Sequence, residues 1–427
     1  MLACTLLVMA VCAEVAVRLL TDTVPPLIVK DPVVGRHYEP GFESRVYVAE
    51  SDRKILLRFN DVGFRGPNRP IKKPDGVCRV AVLGDSMIAS VAVEEEDTMV
   101  CRLEKMLNRS HPQVKWEVLN FGVSGSSPGQ ELVLYRELVR RFDPDVVLCA
   151  YFVGNDLADN SSRLSNNPRI YFDMDEAGKL QQLPFSAERA NVSYYLNRYS
   201  RFYVWQKQAV NHTRHNVLKQ AGMLVPGQWI FSRKETPDVA HAWRLTDTIH
   251  REFQREVIGR GGQFAVVMIP SAWQIYEDVF QEVVDRAGEF APHFDQDYPD
   301  ERLGELCRQS GVPLLSMTDD FRKAAPGGTT KEKQQWLFLR GTGHFNERGG
   351  ELAAKAVHRF LTTESSHLAP QDVASSRGAR GNTNTLPNSY WHSPTGHGMI
   401  GVVCGLANTR VQGLDRRSWV REAIDHF

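Results

Sequence analysis

The chain lacks an excess of either charge: Lys and Arg number 51, and Asp and Glu number 51. No basic stripe stands out, so nucleic acid is not expected as a partner. It also lacks paired cysteines. The seven cysteines are scattered singly, with no C-x-x-C pair and no ligand spacing. That pattern excludes a disulfide framework and a structural zinc site. Cys78 and Cys149 lie beside or within apolar stretches and read as small buried hydrophobes. Polar residues are scarce in one stretch only, MLACTLLVMAVCAEVAVRLL at residues 1–20, which is interrupted by Glu14 and followed at one flank by Arg18. This stretch has no basic leading region of the kind a cleaved signal peptide carries. About 20 apolar residues span a bilayer, so it is read as an N-terminal membrane anchor. Arg18 on the far flank by itself favours a cytoplasmic C-terminal side, a vote of one charge only.

What is present is a regular alternation. Residues 21–75 are rich in Pro, Gly and charge, and read as an extended lead-in draped over a core. Apolar runs then follow at Val80–Leu83, Glu117–Phe121, Val146–Phe152, Phe264–Ile269 and Val312–Leu315. Between them lie segments with helical spacing, such as Met99, Leu103, Met106 and Leu107, with Asp97 or Thr98 as the cap. Further helices are expected near 240–260, near 300–310 and over Glu351–Leu361. Continuously apolar strands alternating with amphipathic helices predict a parallel sheet covered on both faces. The fold class is therefore α/β, a flavodoxin-like three-layer sandwich with about five strands. The core domain is placed at 76–362, with an insertion at about 157–238 that is too long for an ordinary connection. Within it, 193–206 carries Leu196, Tyr199, Phe202 and Tyr203 at helical spacing, as a helix packed on the core or as an aromatic lid. Residues 363–427 are polar and Gly-, Asn- and Ser-rich at their start, and read as a linker and disordered tail.

The chemistry gathers where strands stop. The first run ends at Gly84-Asp85-Ser86, the second leads to Gly125, and the third ends at Gly154-Asn155-Asp156. In open parallel sheets, ligands bind beyond the carboxyl ends of the strands. Ser86, Gly125 and Asn155 are thus expected on one rim. His344, in the loop before the final helix, can reach it. A serine hydroxyl becomes a nucleophile when a base takes its proton, and imidazole suits that task near neutrality. The backbone N–H groups of Ser86 and Gly125 and the amide of Asn155 are candidate donors to an oxyanion.

In order and context, these blocks resemble those of the SGNH (GDSL-type) hydrolases. The resemblance covers about 76–362. It implies Ser86 as nucleophile, His344 as base, and Ser86, Gly125 and Asn155 as the oxyanion hole, with no metal and no cofactor. The lead-in segment Asn60-Asp61-Val62-Gly63-Phe64-Arg65 is similar to that of membrane-anchored bacterial members, which implies an extracytoplasmic domain. The family acts on esters, often acetyl groups on sugars, so the expected partners are a small-molecule or glycan ester and, through the N-terminal segment, a membrane. The expected activity is that of a serine esterase, an O-deacylase on a carbohydrate or lipid. Acyl transfer through the same acyl-serine, and a non-catalytic glycan-binding protein on a degenerate site, are the alternatives. One block departs from the family. Gly341 and Thr342 stand where an aspartate usually precedes the histidine. A backbone carbonyl or water is therefore expected on the outer nitrogen of His344, with Asp319 or Asp320 as the nearest displaced carboxylates.

Overall fold

The computed structural model describes residues 1–21, 26–185, 192–207, 209–210, 224–325, 328–330, 336–339 and 343–363. The tail assigned to 363–427 lies outside these residues from 364 onward, as do Gly341 and Thr342.

The central strand is β5 (Val77–Gly84), buried at every position. It pairs in parallel with β6 (Lys115–Gly122) on one side and β7 (Val146–Phe152) on the other. β10 (Gln263–Ile269) extends the sheet beyond β7, and β11 (Leu314–Ser316) forms its edge. The order is β11-β10-β7-β5-β6, all parallel. The chain reverses its winding between β5 and β7, which opens a crevice at their carboxyl ends. Alternation along each strand divides the core in two. Ala81, Leu83, Val147, Cys149 and Tyr151 face one layer, with Trp243 and Phe253 of the helix Pro237–Gly259. Val80, Val82, Val146, Leu148 and Ala150 face the other, with Leu103 and with Val357 of the helix Glu347–Thr362. The three-layer sandwich follows directly from this division.

The lead-in is more ordered than its composition suggests. β1 (Ile28–Asp31) and β2 (Gly35–Tyr38) form one antiparallel hairpin; β3 (Glu43–Val48) and β4 (Arg53–Arg58) form another. Val46, Val48, Ile55 and Leu57 alternate inward and join the first core layer with Phe59 and Phe64.

The N-terminal stretch forms α1 (Leu2–Leu20). Among the described residues no helix is long and apolar enough to cross a membrane, so the expected span has no support here. Glu14 explains the polar interruption. It accepts hydrogen bonds from the Ser200 hydroxyl at 2.8 Å and from the backbone N–H groups of Arg201 and Phe202 at 2.9 and 3.0 Å. Those donors open a helical segment within the insertion, so the single helix expected over 193–206 is two. α6 (Val192–Tyr199) ends before Ser200, whose hydroxyl accepts from Tyr203 N–H and starts the next. Tyr195 and Tyr199 are exposed, and Val204 is buried.

Candidate active site

A sharp elbow carrying Ser86, the candidate nucleophile, begins where β5 meets α2 (Ser86–Ala89). Asp85 is its N-cap, and one carboxylate oxygen accepts from Met87 N–H at 2.8 Å. Ser86 opens the helix, so its N–H has no intrahelical acceptor. The end of β6 packs directly on α2. A Cβ at Gly122 would lie 2.3 Å from the Ala89 nitrogen, so only glycine permits this approach. Asn120 fastens the same contact by donating to the Ile88 carbonyl at 2.8 Å. Beyond β6 the chain turns at Gly125, whose φ of +72° suits glycine. Its N–H donates no hydrogen bond among the described residues. Asn155 caps α5 (Asp156–Asn160) at the end of β7, and one of its amide hydrogens goes to Asp159 at 3.2 Å.

His344 joins this rim from the loop before the last helix. The loop is held by the bridge between Phe338 and Phe345, and by Asn346, which caps the helix through Gly349 N–H. His344 Nε2 lies 2.7 Å from Ser86 Oγ. The structure therefore places Ser86 and His344 within hydrogen-bond reach, at the edge where β5, β6 and β7 end.

The outer nitrogen is where the sequence reading needs correcting. His344 Nδ1 lies 2.6 Å from Glu50 Oε1, so a carboxylate, and not a backbone carbonyl or water, meets it. Glu50 comes from the turn between β3 and β4. Its side chain is only 2% exposed, against 21% for His344. Neither Asp319 nor Asp320 plays this part. Both lie in the first turn of the helix Thr318–Ala324, and Asp320 pairs with Arg359 at 2.6 Å. In that first turn acidic side chains complement the helix dipole. The hairpin is fixed beside the histidine loop by an ion pair between Arg53 and Glu347.

Other lead-in residues brace the elbow. Tyr38 Oη is 2.7 Å from Ser124 Oγ and accepts from Ser124 N–H at 3.2 Å, just before Gly125. Buried Arg65 donates to the carbonyls of Ser90 and Val93, which follow α2. Burial lowers the Arg65 pKa to about 10, still far above neutrality. Nothing in the lead-in's composition marks these roles. The one available signal was the alternation Val46, Val48, Ile55, Leu57 around a four-residue turn, which announces a hairpin but not what its tip touches.

Behind the elbow lie three buried carboxyls: Asp85, Glu131 and Asp156. Burial pushes Asp85 up to about 6, even though Met87 N–H, His344 and Asn155 favour its ionised form. Burial and mutual repulsion raise Glu131 and Asp156 well above the usual carboxylate range. Asp156 still accepts from Phe152 N–H at 2.7 Å, and Glu131 accepts from the Cys149 thiol at 3.3 Å.

No family model and no curated protein matches the chain. Among solved structures it is similar to an acetyl xylan esterase (11% identity, TM-score 0.36, 65% of this chain and 97% of that one). It is also similar to a lipase/acylhydrolase from Enterococcus faecalis (14%, 0.34, 66% and 95%). A third similar structure is an acetylxylan esterase from Geobacillus stearothermophilus (10%, 0.37, 68% and 97%). These likenesses are too distant to carry an activity across. The site's own geometry must do that.

Proposed function

We propose that the protein is a serine ester hydrolase of the SGNH type, acting on an ester of a carbohydrate or lipid. The observation that carries this reading is the unbroken hydrogen-bond chain from Ser86 through His344 to Glu50, at 2.7 and 2.6 Å. Glu50 accepts the Nδ1 hydrogen of His344 and so fixes the tautomer that leaves Nε2 as an acceptor. Ser86 attacks the ester carbonyl: a bond forms between Oγ and carbon, the hydroxyl proton moves to Nε2, and the carbonyl oxygen becomes an oxyanion. The N–H groups of Ser86 and Gly125 and the Asn155 amide receive that charge. Collapse breaks the bond to the alcohol oxygen, which takes the proton from Nε2. Water, deprotonated by His344, then releases the acid by the same route. Throughout, the Glu50 carboxylate stabilises the imidazolium.

The test is direct. The purified full chain should be labelled by a fluorophosphonate probe and should hydrolyse 4-nitrophenyl acetate. Ser86→Ala should lose the label and at least about a thousand-fold in kcat. A folded wild-type chain that shows neither labelling nor hydrolysis would sink this reading.

A further inference from the structure

Resting on that reading, we infer that the preferred ester carries an anionic group, a carboxylate or phosphate, close to the scissile bond, and that Arg36 and Arg169 receive it beside the oxyanion hole. Both guanidinium groups are tied to the candidate oxyanion donors. Arg36, on β2, donates to the Ser124 carbonyl at 3.3 Å, one residue before Gly125. Arg169 Nη1 lies 2.8 Å from Asp159 Oδ2, the oxygen that also accepts from the Asn155 amide. Arg36 is thus bonded next to Gly125, and Arg169 to the carboxylate that holds Asn155.

Charge and hydrogen bonding are both out of balance there. Asp159 pairs with Arg169, and Arg36 forms no ion pair among the described residues. The Arg169 side chain is only 3% exposed, and its Nε has no hydrogen-bond partner. The Arg36 side chain makes a single hydrogen bond, and a long one, among the described residues. A guanidinium presents five N–H donors, and burying them unmatched is unfavourable. Burial, and after it the charge of Arg169, lowers the pKa of Arg36 to about 10, so it remains a cation at neutral pH. A buried arginine in a purely structural place can have its donors fully matched. Arg79, elsewhere in the molecule, shows that arrangement: it is fully buried, donates to Glu117 at 2.7 and 3.0 Å, and also meets the carbonyls of Ile71, Phe142 and Pro70. The Arg36–Arg169 pair lacks one negative charge, and an anionic substrate would supply it through planar, paired contacts of the kind guanidinium makes with carboxylate and phosphate.

The anion can belong to the acyl or the alcohol half of the ester, and two substrate pairs separate these. One pair is 4-nitrophenyl acetate and 4-nitrophenyl hemisuccinate. The other is an O-acetylated methyl glucoside and the matching O-acetylated methyl glucuronoside. The full chain should favour the anionic member of one pair by about ten-fold in kcat/KM, the value of one charge-assisted contact. Arg36→Met should remove that preference, mainly through KM, and Arg36→Lys should retain part of it. Succinate, but not succinamide, should raise the KM of wild type for the neutral ester, a measurement that needs no variant to fold. Equal use of both members in both pairs, together with no inhibition by succinate, overturns the inference and leaves the esterase reading standing. No turnover of any of the four esters, with no fluorophosphonate labelling, removes both.

Discussion

The sheet and the lead-in supply the site in different ways. Each sheet residue of the site follows a strand end: Ser86 after β5, Gly125 after β6, Asn155 after β7. Their convergence is a property of any parallel sheet of this order, whatever the loops do. The lead-in residues converge for no such general reason. Glu50 sits at a hairpin tip, Tyr38 at the end of β2, and Arg65 between β4 and β5. Each reaches the site through particular contacts: Glu50 to His344, Tyr38 to Ser124, Arg65 to the carbonyls after α2. On the proposed reading, the sheet sets where the reaction occurs, and the lead-in sets how well the reacting groups are held and charged.

The sharpest way to break this division is Glu50→Gln. It keeps the size of the side chain and removes its charge. If the hairpin supplies the third member of the triad, kcat for a simple ester should fall about a thousand- to ten-thousand-fold with little change in KM. Turnover equal to wild type would mean that Glu50 is only a structural neighbour. Tyr38→Phe probes bracing without charge. Its phenol holds the Ser124 turn, and loss of that hold should lower kcat about ten-fold through misplacement of the oxyanion donors. Fluorophosphonate labelling should slow in parallel, whereas an unslowed label would detach Tyr38 from the hole.

On the sheet side, Asp85→Asn separates stability from catalysis. A carboxyl whose pKa rises on folding favours the folded chain below about pH 4, where the unfolded group titrates. That contribution is lost as pH climbs toward the folded value of about 6. Relative to wild type, the variant should therefore gain stability across this window, on the order of 2 kcal/mol. Urea midpoints at pH 4 and pH 7 test it, and a gap that does not widen with pH refutes it. The smallest effect is expected at Asp320→Asn. It removes a surface ion pair with Arg359, should cost under about 1 kcal/mol, and should leave ester turnover unchanged. Loss of turnover there would return that residue to the candidate triad.

The same division explains what could be read from the sequence. Continuous apolar runs and helical spacing carry the sheet and its layers, because burial on both faces leaves a local signature. The ends of those runs place Ser86, Gly125 and Asn155, since sheet topology converts sequence order into position. Thr98, not Asp97, caps the helix Met99–Ser110, a choice that either side chain could have made. Glu50 left no such trace. It stands 294 residues from His344, and a carboxylate at a hairpin tip looks like any solvated turn residue. Its role lies in tertiary contact alone, as does the imbalance around Arg36 and Arg169, which appears only once Asp159 is seen to serve both Arg169 and Asn155.

The reach from Glu50 to His344 also has a consequence for how the molecule comes into being. A chain emerging from the ribosome presents the β3–β4 hairpin early and the histidine loop 294 residues after Glu50. Ser86 and the first strands can assemble while synthesis continues, since domains fold from the N-terminal side as they appear. The hydrogen-bond relay cannot close until the loop before the final helix has docked, and closing so wide a loop is among the slow steps of folding. Activity in a refolding experiment should therefore return after the sheet's circular dichroism, with the interval set by the docking of two segments 294 residues apart.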